Sequence, residues 1–169
     1  ESIHRTNVFP IGGKETKVVN LCLYDWDDYE GEQNIYHQYS IRGGVSSHGH
    51  WQAEILQAGD YLFEMRRWPR EAEASIASGL PEYHAEDDVF PEGVSLPITQ
   101  ASLTVQGQNR RITVNQDEDV VRVKLHLDKG EAAIDSAFYD KNGHILCGVY
   151  YLTVRALHNQ TFGGSDALC

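Results

Sequence analysis

Between Val121 and Leu127 the odd positions are aliphatic and the even ones basic: Val121, Val123, Leu125 and Leu127 alternate with Arg122, Lys124 and His126. Successive side chains on an extended strand point to opposite faces, so this spelling demands a strand with one dry face and one wet face. The same period of two recurs along most of the chain. Thr16–Asp25, Ile35–Arg42 (closed by Gly43-Gly44), His50–Leu56, Tyr61–Arg67, Gln100–Gln106, Arg111–Asn115, Val120–Leu127, Ala132–Tyr139 and Val149–Ala156 all read as strands. Gln57-Ala58-Gly59-Asp60 reads as a turn that pairs its two flanking strands in a hairpin. Arg70–Ser78 has room for two helical turns. Leu80–Leu96, acidic and interrupted by proline, reads as a long surface connection. The expected architecture is all-β: two antiparallel sheets packed face to face in a β-sandwich of jelly-roll type. Residues 1–15 are expected to be a lead or linker, 16–157 one domain, and 158–169 a tail.

Charge narrows the partners. The chain has 169 residues, with 14 Lys and Arg against 25 Asp and Glu, for a formal net charge of −11. Such a surface repels a nucleic acid backbone. It also repels a polyanionic glycan unless a local basic patch reverses the field. No apolar run reaches the length of a membrane span, so neither nucleic acid nor membrane is expected as a partner. The chain opens on Glu1-Ser2-Ile3-His4-Arg5, which fits neither a signal peptide nor a tag and is expected to follow from processing of something longer. Cys22, Cys147 and Cys169 give an odd count without metal-ligand spacing. Cys22 and Cys147 lie in apolar strands and are expected to be buried thiols; Cys169 is expected to be exposed.

The chemistry-bearing residues concentrate at the end of the Tyr61–Arg67 strand. Tyr61, Phe63 and Met65 share one face, and Leu62, Glu64 and Arg66 the other. Arg67-Trp68-Pro69-Arg70-Glu71 then turns a corner, because Pro69 lacks a backbone donor. Arg66, Arg67 and Arg70 present guanidinium forks of the kind that hold sulfate or carboxylate. They equally suit a surface network with Glu64, Glu71 and Glu73, or a docking edge. Trp68 fits either a corner plug under Arg67 or part of a binding face. Trp26 and Trp51 are expected in the core, with Trp26 and its neighbour Tyr24 also candidates for an interface. Asp25, Asp27, Asp28, Glu30 and Glu32 crowd one loop. Calcium takes such oxygens, but Tyr29 falls where a ligand is wanted, and a solvated charge run is the expected reading. No cofactor is expected, and calcium is not. His48 and His50, with His37 or His84, are the candidates for a zinc site, without a clear third ligand. No nucleophile elbow, phosphate-binding loop or dinucleotide fingerprint is present.

Several phrases, kept in order from about Asn20 to Leu157, resemble the C-terminal region of bacterial secreted arylsulfatases of the sulfatase family. They are Leu23-Tyr24-Asp25-Trp26, the run from Gly49 to Ile55, and Ala58-Gly59-Asp60-Tyr61 with Phe63-Glu64-Met65-Arg66-Arg67-Trp68-Pro69-Arg70-Glu71. Leu96-Pro97-Ile98-Thr99-Gln100-Ala101-Ser102-Leu103, Ala137-Phe138-Tyr139-Asp140 and Cys147-Gly148-Val149-Tyr150-Tyr151 complete the set. The resemblance implies a secreted or periplasmic protein whose partner is a sulfatase catalytic domain. In that family the nucleophile comes from Cys-x-Pro-x-Arg or Ser-x-Pro-x-Arg, and Asp and Asn side chains hold calcium. Here Ser95-Leu96-Pro97-Ile98-Thr99 carries Thr99 where the motif needs Arg, so the resemblance implies no catalytic residue in this chain. The expected function is a non-catalytic accessory sandwich that packs on or shapes the catalytic domain. The alternative is a carbohydrate-binding module for a sulfated or acidic polysaccharide, since xylan- and galactan-binding modules resemble the Ala-Gly-x-Tyr turn and its arginine-bearing strand. A small hydrolase with an unrecognised site is the third reading.

Overall fold

The computed structural model describes residues 7–30 and 41–157. Outside the described residues lie the first six positions, the tail with Cys169, His37, Glu32 and most of the Ile35–Arg42 segment, together with the side chains of Asp28 and Glu30.

The strands are β1 (Val8–Ile11), β2 (Val18–Cys22), β3 (Asp28–Glu30), β4 (His48–Ile55), β5 (Gly59–Arg66), β6 (Tyr83–His84), β7 (Val89–Phe90), β8 (Gln100–Val105), β9 (Gln108–Thr113), β10 (Val121–Leu127), β11 (Gly130–Tyr139), β12 (Ile145–Gly148) and β13 (Tyr151–Ala156). One sheet runs β1-β4-β11-β8-β9, with β3 added on β4 and β12 on β11. The other runs β10-β5-β13-β2. Set aside β1, β3, β12 and the β6–β7 pair and eight remain, dealt between two four-stranded sheets so that nearly every connection crosses from one to the other. That is the jelly-roll order, and the protein is an all-β two-sheet sandwich.

The core lies between the sheets. Trp51, Ala53 and Ile55 of β4, Leu103 and Val105 of β8, and Ile134 and Phe138 of β11 are buried from one side. Tyr61, Phe63 and Met65 of β5, Leu125 and Leu127 of β10, and Leu152 and Val154 of β13 are buried from the other. The β10 pattern alternates buried and exposed at every position, as its spelling requires.

Several expectations are corrected. β4 and β5 are not a hairpin: β4 pairs with β11 and β5 with β10 and β13, so the Gln57-Ala58 link crosses between sheets. Alternation fixes which face of a strand is dry, but not which strand lies beside it. The tight hairpin joins β8 to β9 instead, where Gln106 and Gly107 both take positive φ (51° and 76°), as a two-residue I′ turn needs. β1 runs parallel to β4, so the sandwich is not antiparallel throughout. It also lies inside the expected lead, and its Ile11 is fully buried. Ile41 and Arg42 are helical rather than extended, and Gly44 (φ 81°) accepts the end of that helix with its N–H on the Ile41 carbonyl. Gly43-Gly44 is therefore a helix stop.

Arg70–Ala72 forms one 3-10 turn, not two helical turns. Glu73 leaves it at φ 50°, and the Ile76 N–H bonds the Glu118 carbonyl, which draws Ile76 into the core. The Leu80–Leu96 connection carries a small exposed arm, β6 against β7, tied at its base by a bridge between Leu80 and Gly93. Among the described residues no helix is long and apolar enough to cross a membrane.

Candidate functional site

The Arg66–Glu71 corner splits by face. Arg67 points inward and is fully buried. Its Nη1 donates to the carbonyls of Ile76 (3.2 Å) and Ser78 (3.1 Å), and its Nη2 to that of Val94 (2.6 Å). One guanidinium thus stitches the end of β5 to both ends of the loop that follows it. No carboxylate pairs with it among the described residues, and burial lowers its pKa from the usual arginine value. Trp68 is 3 % exposed, lies 4.2 Å from the Arg67 guanidinium carbon, and donates Nε1 to the Ser78 carbonyl at 2.9 Å. Gly93 fits against it only because it lacks a side chain: a Cβ there would sit 3.0 Å from both Trp68 Cη2 and the Leu80 nitrogen. Neither residue is open to a ligand. The expectation of Arg67 as an anion fork is corrected, and of the two readings of Trp68 the geometry fits the corner plug under Arg67.

Arg66 and Arg70 belong to the outer face of the four-stranded sheet. The register sets Arg122 of β10, Glu64 of β5, Thr153 of β13 and Asn20 of β2 in one row across it. Glu64 is 4 % exposed at the centre of that row. Arg155 Nε donates to its Oε1, while Arg122 Nε (3.4 Å) and Arg66 Nη2 (3.9 Å) approach its Oε2. Burial raises the Glu64 pKa, but the Arg155 hydrogen bond and the charges of Arg155, Arg122 and Arg70 outweigh it, so the net shift is downward. Arg66 also pairs with Asp119 at 3.3 Å. Arg70 is exposed and forms no ion pair among the described residues.

The expected pairing of the three arginines with Glu64, Glu71 and Glu73 therefore holds for Arg66 and Glu64 alone. Sequence reasoning missed Arg155, Thr153 and Asn20. Their outward parity was legible in the strand pattern, but the register that brings them beside Glu64 was not.

The remaining candidates scatter. Trp26 is half-buried, tilted against Trp51 (6.1 Å between centroids) and Tyr150 (6.0 Å), over Gly148. Tyr24 is 46 % exposed at the 3-10 turn Leu23–Asp25. Asp25 accepts the Cys22 N–H at 2.9 Å, and Asp27 pairs with His50 at 3.6 Å, so each is engaged with a different partner. The Asp28 carboxylate lies outside the described residues. His84 pairs with Glu82 on the exposed arm, far from His48 and His50 along the chain. Among the described residues no group of three His, Cys, Asp or Glu side chains is placed to hold a metal ion. Burial pushes the Cys147 thiol up to about 12 and raises that of Cys22 as well, which makes both poor nucleophiles.

A jelly-roll sandwich with a polar, arginine-bearing outer sheet is the class these features define. Comparison with protein-family models gives no match, and comparison with curated proteins gives none. Among solved structures, the chain is similar to pika GITRL at a TM-score of 0.33 and 17 % identity, covering 64 % of this chain and 79 % of that one. Rabbit GITRL is similar at 0.32 and 17 %, covering 66 % and 75 %. Likenesses this distant bear on no function.

Proposed function

We propose that this domain is the non-catalytic C-terminal accessory sandwich of a secreted sulfatase, which packs on or shapes the catalytic domain. The reading rests on the ordered sequence phrases. One observation supports it most: phrases far apart in the chain meet in space. Trp26 of the first lies tilted against both Trp51 of the second and Tyr150 of the last. Arg67 and Trp68 close the corner that the third phrase spells. The alternative, a carbohydrate-binding module, loses Trp68 as its stacking platform and retains only the outer-sheet groove.

The test is turnover of a chromogenic aryl sulfate. The chain alone is expected to give no rate above buffer, since Ser95 stands without an arginine at Thr99 and neither Cys22 nor Cys147 is activated. An arylsulfatase catalytic domain truncated before its own sandwich is expected to gain thermal stability when this chain is added. Turnover by the chain alone that disappears in Ser95→Ala, or a catalytic domain unmoved by saturating chain, rejects the proposal.

A further inference from the structure

Where Pro69 and Arg70 leave β5 over the outer sheet, a groove of about 320 Å³ opens against β13 and β2. Asn20, Arg66, Arg70, Glu71, Tyr151 and Thr153 line it. Thr153 Oγ1 donates to Asn20 Oδ1 at 2.7 Å, which uses the amide oxygen and leaves the Nδ2 hydrogens as donors. Arg66 is held nine-tenths buried in the wall by Asp119 and Glu64, and its Nε has no partner among the described residues. Arg70 stands at the rim, exposed and without an ion pair among the described residues.

The electrostatics of this face differ from those of the rest of the chain. Arg66, Arg70, Arg122, Lys124 and Arg155 gather around Glu64, Asp60, Glu71 and Asp119. That is five basic against four acidic side chains, where the whole chain has 14 against 25. The acids are consumed in pairs with Arg66, Arg122, Lys124 and Arg155, except Glu71. Arg70 is left to meet an incoming anion beside an amide donor and a phenol ring, and guanidinium forks match the oxygens of a sulfate group.

We propose that this groove is a subsite for the sulfate ester of a saccharide, with Arg70 pairing the sulfate, Asn20 donating to the sugar or its sulfate, and Tyr151 flanking the ring. The choice of sulfate over other anions rests on the sulfatase reading above. The experiment is calorimetric titration of the whole chain with four probes: a sulfated galactan oligosaccharide, its desulfated counterpart, a uronate oligosaccharide and inorganic sulfate. The sulfated oligosaccharide is expected to bind best. Arg70→Gln is expected to lower its affinity by about tenfold, the loss of one charge-assisted contact, at an unchanged melting temperature. Arg110→Gln, on β9 of the other sheet, is expected to change nothing. Equal binding of the desulfated sugar, tighter binding of the uronate, inorganic sulfate matching the oligosaccharide, or indifference to Arg70→Gln would each overturn the proposal. Stabilisation of a sulfatase catalytic domain is read separately, so loss of the groove leaves the accessory reading standing, and loss of that reading leaves the titration interpretable.

Discussion

Trp51→Ala is expected to lower the unfolding free energy by about 3–5 kcal/mol. The ring sits at the centre of the inner face of β4, fully buried, with Trp26 tilted against it. Its Nε1 donates to the Cys22 carbonyl at 2.9 Å, which ties the inner sheet face of β4 to the end of β2 across the sandwich. Truncation therefore opens a cavity and takes the indole donor from a part-buried carbonyl. For a domain of this size the melting temperature falls by roughly 6–20 °C. Trp51→Phe separates the two terms: it restores most of the packing but not the donor, and is expected to cost about 1–3 kcal/mol. Thermal or urea unfolding reads both. A melting temperature unchanged by Trp51→Ala would mean the ring is not in the core.

Arg67→Met is expected to cost at least about 3 kcal/mol, even though methionine is the more hydrophobic residue and nearly fills the space. Removing a buried charge is favourable by itself, and replacing a whole buried ion pair by apolar residues is often neutral. Arg67 differs because its partners are backbone carbonyls of Ile76, Ser78 and Val94, which stay behind when it goes. The Ile76 and Val94 carbonyls then lose their Arg67 donor, and the Ser78 carbonyl keeps only Trp68 Nε1. Arg67→Lys is expected to rescue little, because a single ammonium cannot span carbonyls that a planar fork reaches in two directions. Unfolding in urea checks this. Stability of Arg67→Met within about 0.5 kcal/mol of the parent would mean that the loop carbonyls find other donors and the guanidinium is not the stitch.

The contrast between Arg66 and Arg67 marks how far the sequence could be read. Period two predicted the strands and the two-sheet class, and it set Glu64 and Arg66 on the face opposite Phe63 and Met65. It also predicted that regular pairing would stop at Pro69. What it did not carry is depth. Arg67 and Trp68 look like a charged rim on paper, yet the corner folds the Ser75–Leu96 loop over them, and only contacts remote in sequence bury them. The β4–β5 link failed for a related reason: a turn signal between two alternating strands is equally compatible with a hairpin and with a crossing between sheets. The outer-face row of Arg122, Glu64, Thr153 and Asn20 needed the register of three strand pairs, none of which a single sequence fixes. Ile41 and Arg42 show the smaller error, in which a glycine pair stops a helix rather than a strand.

Sequencing what the gene encodes in frame before the codon for Glu1 is the decisive measurement. A sulfatase catalytic domain is expected there, with a Cys-x-Pro-x-Arg or Ser-x-Pro-x-Arg nucleophile motif and Asp and Asn residues for calcium. A frame that joins this sandwich to a glycoside hydrolase, or to no catalytic domain at all, would contradict it.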